Sequence, residues 1–243
     1  MIMKTSRRLI INADDFGLSP AVNRGIIEAH ERGIVTSTSL MVNHGASSIA
    51  AVEWARGNSS LGVGLHVDLG EWFCRGGQWL PLYEVVPLDD APAVSTAVRE
   101  QLDRFRQLVG RNPTHVDSHQ NVHRKGAARE VTIALAAELD VPLRHFTPDI
   151  RYCGAFYGQT TDGTPFPDAV SVEGLLRTIE SLPVADVIEL ACHPSAGEDV
   201  ETMYQRERTI ELNTLCNPSI HAAIDRLGIV LCDFQSVRAE ASA

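Results

Sequence analysis

Two adjacent aspartates, Asp14 and Asp15, follow directly on the apolar run LIINA at residues 9–13. Neighbouring carboxylates at the end of a buried strand repel each other unless a cation or a shared proton lies between them. A divalent cation is one solution, because one carboxylate can ligate the ion while the other accepts a proton from a water molecule beside it. The structural alternative is that the pair caps a helix beginning at Ser19 and Pro20.

Histidines end further apolar runs. His66 lies in VGLHVDL, His193 follows VIELAC, and the segment THVDSHQNVH at residues 114–123 contains three histidines. A single histidine at a strand end is usually a hydrogen-bonded polar group, but four polar strand ends in one chain weaken that interpretation. One carboxylate and two neutral imidazoles bind a divalent cation and leave positions open for water and substrate. The pattern therefore predicts a metal site at these strand ends.

The segment 114–123 offers residues for more than one task. On a strand, alternate side chains point the same way, so His115, Asp117 and His119 would share a face. Asp117 and His115 are then candidates to orient a metal-ligating imidazole from behind. His123 follows a turn, where it could contact substrate or have a purely structural role. Four other histidines lack such companions and are expected to be structural: His30, His44, His145 and His221.

Short apolar runs alternate with helical patterns, which favours parallel βαβ units over hairpins. The predicted strands are Leu9–Ala13, Val35–Val42, Leu61–Val67, Thr114–Asp117, Pro142–Phe146, Val187–Ala191 and Ile229–Phe234. The first predicted helix begins at Ser19 and ends at Gly33. The other predicted helices cover Gly45–Arg56, Val94–Val109, Ala127–Leu139, Val172–Ser181, Glu201–Leu215 and Ser219–Leu227. We expect one α/β domain over residues 1–243, either closed as a barrel or open as a doubly wound sheet. Both architectures place their chemistry at the carboxyl ends of the strands.

Two regions lack a clear pattern of strand or helix. Gly70–Pro92 holds Trp72 and Trp79, and Ile150–Pro167 holds Tyr152 and Tyr157, so four rings with flat faces fall in these two regions. Long loops that carry aromatic residues in an α/β protein usually lie over the site, and we expect that placement here.

Composition limits the classes of partner. The formal charge is −10, from 21 Lys and Arg against 31 Asp and Glu, which disfavours nucleic acid and anionic membranes. The apolar run before Asp14 is too short for a signal-peptide core, and no stretch reaches the ~20 apolar residues of a membrane span. Five cysteines without CxxC spacing are expected to be reduced thiols. A cytoplasmic location is therefore expected.

Five segments together carry a family resemblance: INADDFGLS, GLHVDL, THVDSHQNVH, AFYGQ and ACHP. In order and over nearly the whole chain, they resemble the YdjC-like carbohydrate deacetylases, the group that contains chitooligosaccharide and hopanoid-associated deacetylases. The resemblance implies a distorted (β/α) barrel of about seven parallel strands. It also implies one bound divalent metal ion, Mg²⁺ or Zn²⁺, and hydrolysis of an N-acetyl group from an amino sugar.

The resemblance also implies roles for individual residues. Asp15, His66 and His119 match the family's metal ligands, Asp14 matches the general base, and His193 matches a histidine at the rim of the site. We expect His193 to protonate the leaving amine. Four residues are expected to contact substrate: His123, Asn121, Tyr157 and Trp72. Asn121 stands where the family often has a further histidine.

Two other functions stay open. A metal-dependent phosphoesterase would need cations near the rim to hold phosphate, and the chain offers Arg124, Lys125, Arg144 and Arg151. A non-catalytic sugar-binding protein would need the metal but not Asp14. For the deacetylase we expect a small saccharide or amino-sugar conjugate as partner, no nucleic acid and no membrane span, and we allow for a homodimer.

Overall fold

The computed structural model describes residues 7–183 and 187–241. Its strands are β1 (Arg8–Phe16), β2 (Ser37–Leu40), β3 (Gly62–Val67), β4 (Gly70–Arg75), β5 (Gln78–Glu84), β6 (Val116–Ser118), β7 (Ile150–Cys153), β8 (Val187–Cys192) and β9 (Val230–Leu231). Its α-helices are α1 (Pro20–Glu31), α2 (Ala46–Gly57), α3 (Ala91–Val109), α4 (Gly126–Leu139), α5 (Val172–Ser181), α6 (Arg206–Leu215), α7 (Pro218–Leu227) and α8 (Phe234–Ala241).

The main sheet is parallel and runs in the order β6-β3-β2-β1-β8-β7, with β9 paired to the start of β1. In a flat sheet β1 and β6 would lie about 14 Å apart, because each strand spacing is about 4.8 Å. Oδ1 of Asp15, on β1, nevertheless lies 3.0 Å from Nδ1 of His119, which directly follows β6. The sheet is therefore curled into a partial barrel, which confirms the α/β class and the distorted barrel expected from the sequence.

Alternate residues of β1 point to opposite faces of the sheet. Leu9 and Ile11 pack in the layer between the sheet and the helices, whereas Ile10 belongs to a separate cluster inside the barrel. Asn12 and Asp14 continue the inner row, since the Asn12 side-chain amide donates a hydrogen bond to Asp14 at 2.8 Å. The inner row is thus apolar at the amino end of β1 and charged at the carboxyl end.

The amino-terminal end of the barrel interior is closed by a residue from the end of the chain. Phe234, the first residue of α8, packs with Ile10 and stacks on the imidazole of His115 with ring centroids 3.8 Å apart. Access to the interior is therefore from the carboxyl ends of the strands.

Several helices match the sequence prediction because their caps are readable. Ser19 caps α1 by accepting a hydrogen bond from Val22 N, and Pro20 takes the first helical position. α5 covers the predicted residues, with Ser171 as its cap. In contrast, α6 begins at Arg206 rather than at Glu201.

The prediction of a strand over Pro142–Phe146 was wrong. Only Leu143 pairs with β6, through an isolated bridge to Val116, and the chain then turns with His145 at φ 68°. The strand lies instead at β7, inside a region expected to be a loop. The turn is needed because Arg144 points into the barrel and bonds carboxylates there.

The second region expected to be a loop, Gly70–Pro92, forms the antiparallel hairpin β4–β5. Nearly all of β5 is exposed and Pro81 interrupts it, so the segment shows no buried alternation that would predict a strand. The predicted strand Ile229–Phe234 shrinks to the two residues of β9. Within residues 7–183 and 187–241, no helix is long and apolar enough to cross a membrane.

Candidate active site

Both aspartates of the adjacent pair reach the mouth of the barrel. Simple alternation would turn Asp14 inward and Asp15 outward. The register between β1 and β2 breaks between Ala13 and Phe16, however, and Asp15 adopts φ 70°. This left-handed conformation is uncommon for a non-glycine residue and turns the Asp15 carboxylate into the same cleft.

Asp15, His66 and His119 bring three potential ligand atoms together. Oδ1 of Asp15 lies 3.2 Å from Nε2 of His66 and 3.0 Å from Nδ1 of His119. A metal ion with bonds of about 2.1 Å in octahedral geometry holds neighbouring ligand atoms about 3 Å apart, so the spacing fits a divalent ion. All three side chains are buried, and together they could hold a metal ion. We refer to Asp15, His66 and His119 as the metal-binding group.

The orientation of His66 is fixed from behind by Asp117. Oδ1 of Asp117 lies 2.7 Å from Nδ1 of His66, which leaves Nε2 to face Asp15. Asp117 also accepts a hydrogen bond from Ser39 at 2.6 Å, and the same hydroxyl lies 3.0 Å from Nε2 of His115. Burial by itself would lower the pKa of His66, but the Asp117 carboxylate raises that pKa well above its usual value.

Two buried arginines hold the aspartate pair. Arg208 donates to Oδ2 of Asp15 at 2.6 Å. Burial would raise the pKa of Asp15, but the Arg208 guanidinium and His119 hold it well below its usual value. Arg144 forms a two-pronged ion pair with Asp14, with both N···O distances 2.7 Å. Asp14 is thereby fixed as a neighbour of the metal-binding group rather than a member of it.

Arg144 also fills a second group of potential ligands. Asp14, His66 and Asp117 lie close enough to hold an ion. The guanidinium of Arg144 already contacts both carboxylates, with Nη2 2.8 Å from Oδ2 of Asp117. Its Nε donates to Glu189 at 2.6 Å. A cation therefore has room beside Asp15 but not at this second group.

His193 lines the same cleft and lies between two carboxylates. Its Nε2 is 3.7 Å from Oδ2 of Asp14, and its Nδ1 is 3.7 Å from Oε1 of the fully buried Glu211. Glu211 also accepts hydrogen bonds from the His193 backbone N–H and the Tyr204 hydroxyl. A carboxylate therefore backs the imidazole, an arrangement that suits a proton donor.

These side chains open into one cleft of about 610 Å³. It also includes Tyr157, whose ring stacks on Tyr204 with centroids 4.5 Å apart. The other expected contact residue that reaches the cleft is Asn121. Residues that line it are Asp14, Asp15, His66, Glu71, Trp79, His119, Gln120, Asn121, Arg124, Tyr152, Gly154, Phe156, Tyr157, Thr161, Ala191, His193, Thr202, Met203, Tyr204 and Arg208.

Two residues expected to contact substrate lie elsewhere. His123 is fully buried, with Nδ1 hydrogen-bonded to the Ser118 hydroxyl and Nε2 3.2 Å from the Arg144 carbonyl oxygen. Trp72 is on β4 but outside the lining of the cleft, where Trp79 of β5 is found instead. Their placement gives no support to a role in substrate binding.

Four further charged residues belong to the site and were not assigned there from the sequence: Arg144, Arg208, Glu71 and Glu211. Arg144 was considered only as a phosphate-binding cation. The partners of Arg144 and Arg208 lie 130 and 193 residues away, so no local spacing could pair them. The one available signal was for Glu71, which directly follows the GLHVDLG segment.

Relatives of known name cover almost the whole chain. A carbohydrate deacetylase of Clostridium beijerinckii is 33% identical over 95% of this chain and 100% of its own length. A chitooligosaccharide deacetylase of Serratia marcescens is 31% identical, over 94% of this chain and 98% of the relative. A solved structure from Enterococcus faecalis V583, named as a candidate for cellobiose-phosphate cleavage, is 28% identical with a TM-score of 0.74. It covers 96% of this chain and 99% of that one.

More distant likeness concerns the fold alone. A family 4 carbohydrate esterase of Streptomyces lividans has a TM-score of 0.54 at 9% identity, covering 95% of this chain and 93% of that one. The family model described as YdjC-like protein matches residues 8–226. That match spans the paired aspartates, His66, His119 and His193, and the chain belongs to the YdjC-like protein family.

Proposed function

We propose that this protein is a metal-dependent hydrolase that removes the acetyl group from N-acetylglucosamine-type units of a small saccharide or glycoconjugate. The observation that carries the proposal is the group Asp15, His66 and His119 beside Asp14 in one cleft that His193 also lines. The names of the relatives, carbohydrate deacetylase and chitooligosaccharide deacetylase, support the same class of reaction.

Asp15, His66 and His119 would hold the divalent ion. Held there, such an ion would supply Lewis-acid chemistry, lowering the pKa of a water molecule and polarising a carbonyl group. Of the two ions expected from the sequence, Zn²⁺ accepts both carboxylate and imidazole ligands, whereas Mg²⁺ prefers oxygen, so two imidazoles favour Zn²⁺ or a similar transition metal.

Asp14 would act as the general base and His193 as the general acid. Asp14 accepts a proton from the attacking water, and its ion pair with Arg144 keeps the carboxylate aimed into the cleft. The leaving amine needs a proton because an amide anion is too basic to depart. His193 donates it, and the Glu211 carboxylate lies 3.7 Å from Nδ1 on the other side of the ring from Nε2.

Aromatic rings would bind the sugar. Tyr157 is 39% exposed although it stacks on Tyr204, and Trp79 is 51% exposed at the β4–β5 hairpin. Exposed rings that line a cleft offer flat apolar faces to the C–H faces of a pyranose ring. Asn121 adds an amide for a sugar hydroxyl, although its Oδ1 already lies 3.1 Å from Nε2 of His145.

The phosphoesterase alternative has less support from the charges. Arg144 is already bound to three carboxylates, so it is not available for phosphate. Arg124, exposed at the rim, is the cation in the cleft lining that could serve. Phosphorylated sugars therefore belong among the compounds tested.

Acetate release tests the proposal. The protein is freed of metal with a chelator and then supplied with Zn²⁺, Mg²⁺, Mn²⁺, Co²⁺ or Ni²⁺ before incubation with N-acetylated saccharides, with and without a phosphate group. We expect acetate and free amine in equal amounts with at least one metal and background rates with none. Release of phosphate without acetate would replace the proposal with the phosphoesterase.

A further inference from the structure

A buried carboxylate beside the metal-binding group has no role in the mechanism above. Glu71, on β4, is only 4% exposed and lines the cleft. Among the described residues its carboxylate accepts no hydrogen bond; its Oε2 faces Nε2 of His119 at 3.6 Å. A carboxylate that is largely withdrawn from water and makes no hydrogen bond is unfavourable, so this placement favours a partner.

His119 offers the matching donor. Its Nδ1 faces Asp15 at 3.0 Å, at the separation expected for two ligands of one ion. If Nδ1 ligates the metal, the neutral imidazole carries its proton on Nε2. That nitrogen is buried and has no hydrogen-bond partner in the described part of the chain. An orphaned N–H and an unbonded carboxylate therefore face each other.

The hairpin is built to present Glu71 at this point. Glu71 pairs with Tyr83 but the next residue, Trp72, pairs with Pro81, so Leu82 is an extra residue and forms a bulge. Bulges commonly redirect a side chain next to an active site. The base of the hairpin is held by Asp68, whose carboxylate accepts the Tyr83 hydroxyl at 3.0 Å.

A side-chain amide joins the hairpin to the histidine segment. Gln120, directly after His119, accepts the Trp72 N–H at 2.9 Å and donates to the Trp72 carbonyl oxygen at 2.8 Å. Gln120 has φ 48° and Asn121 has φ 54°, two consecutive non-glycine residues in the left-handed region. Strain of this kind is usual at functional sites. These two bonds hold Trp72 next to Gln120, and Glu71 and His119, the residues directly before them, therefore lie close together.

We propose that Glu71 is a positioning residue for His119. When the metal is bound, the 3.6 Å gap between Oε2 of Glu71 and Nε2 of His119 closes to a hydrogen bond that keeps Nδ1 aimed at the metal. Asp117 plays the same part for His66, at 2.7 Å. The hairpin that lines the substrate cleft thereby also sets the metal affinity. The inference rests on the metal site of the proposed function but not on the reaction catalysed there.

Metal affinity measured without substrate tests it. Glu71→Met removes the acceptor, Glu71→Gln keeps an acceptor oxygen but not the charge, and Glu84→Gln is the control on the exposed end of the same hairpin. We expect Glu71→Met to weaken Zn²⁺ binding about 10–100-fold and Glu71→Gln to weaken it less. Glu84→Gln should bind as the unaltered protein does. Circular dichroism checks that each variant is folded. If the Glu71→Met protein does not fold, the Zn²⁺ affinity of Glu71→Gln is compared with that of Glu84→Gln, and a weaker affinity in Glu71→Gln alone supports the proposal.

The absorption spectrum of the Co²⁺-loaded protein separates positioning from ligation. A positioning role leaves the visible bands of the Glu71→Gln protein unchanged at saturating Co²⁺. Altered bands would make Glu71 itself a ligand and overturn the proposal, as would unchanged Zn²⁺ affinity in both Glu71 variants. If the unaltered protein binds no metal, the metal centre of the proposed function fails first; if it binds metal but releases no acetate, only the proposed reaction fails.

Discussion

At the scale of single residues, the chemistry of this chain lies at strand ends, and that much follows from the sequence. Carboxyl ends of parallel strands meet at one rim, so the positions of the aspartate pair, His66 and the segment 114–123 along the chain predict that these groups meet there. The inward turn of Asp15 depends on its φ of 70° and does not follow from alternation along β1. The groups that close the site could not be predicted in this way. Arg144 and Arg208 reach their aspartates across the fold, and only the three-dimensional arrangement pairs them.

The metal-binding group gives the first residue-scale prediction. Purified protein should bind about one divalent ion per chain, and His66→Ala or His119→Ala should abolish that binding because each removes one of three protein ligands. Inductively coupled plasma mass spectrometry after dialysis measures the ratio. His30→Ala, at a histidine bonded to Val35 and Ser60 on the helical side of the sheet, is the control. Unchanged ratios in both ligand variants would rule out a metal at this site.

His193 gives the second prediction at this scale. His193→Gln should fold and bind metal normally but lose turnover on an N-acetyl amide, because the leaving amine no longer receives a proton. The loss should be much smaller for an activated aryl acetate, whose leaving group needs no proton. Rates per metal-loaded molecule on both substrates provide the comparison. Equal losses on the two would leave His193 with a positioning role only.

At the scale of elements, capped helices were predictable and the irregular segments were not. α1 and α5 have readable Ser caps, and the inward rows of β1 and β8 follow period-two alternation. The turn at Arg144 replaces a predicted strand because a buried guanidinium inside the barrel outweighs the local preference of an apolar run. The β4–β5 hairpin was missed because its exposed β5 has no buried face.

Gly64 of β3 provides the element-scale prediction. A Cβ at this position would lie 2.3 Å from Cε1 of His115, so the strand must carry glycine for that imidazole to pack inside the barrel. We expect Gly64→Ala to lower the free energy of unfolding by about 1–3 kcal/mol, the usual cost of overpacking. Urea denaturation in the presence of a chelator measures it.

Gly57→Ala is the matched control for that substitution. Gly57 is the last residue of α2, and an added Cβ there meets nothing within 4 Å. Its effect should range from none to a stabilisation of about 1 kcal/mol. Equal effects of the two substitutions would show that His115 moves aside without cost.

At the scale of the whole molecule, the pattern of strands and helices left open whether the units close into a barrel, and only the family resemblance implied closure. In the structure the sheet encloses an interior. This interior is apolar around Ile10 and Phe234 and charged around Asp14 and Arg144. An open doubly wound sheet has no such enclosed interior. β1 and β6 are three positions apart in the sheet, and the curl of the sheet brings side chains at their ends within hydrogen-bonding distance.

The buried interior also predicts how stability depends on pH. Burial lowers the pKa of His115 and of His123 to about 4, from an ordinary value of 6.5. The unfolded chain therefore takes up protons between pH 6.5 and 4 that the folded chain does not, so these histidines reduce stability as the pH falls through that range. Burial raises the pKa of Glu189 to about 7, and its contribution has the opposite sign: it is lost as the pH rises towards 7.

A variant isolates the histidine contribution. Between pH 6.5 and 4, the free energy of unfolding of the unaltered protein should fall more steeply than that of His123→Gln. The difference should not exceed about 1.4 kcal/mol per pH unit, the limit for one proton. Chelator-treated samples and urea titrations at each pH give the curves. Parallel curves would mean that His123 is protonated in the folded state as readily as in the unfolded chain.

The most direct test of the proposed mechanism is the rate of acetate release by Asp14→Asn carrying its metal. In that mechanism Asp14 is the base and Asp15 is the ligand, so this variant should keep about one ion per chain while losing about 10²–10⁴-fold in turnover. Asp15→Asn should lose the metal itself. Full activity in metal-loaded Asp14→Asn would contradict the mechanism, because the proton of the attacking water would then be accepted elsewhere.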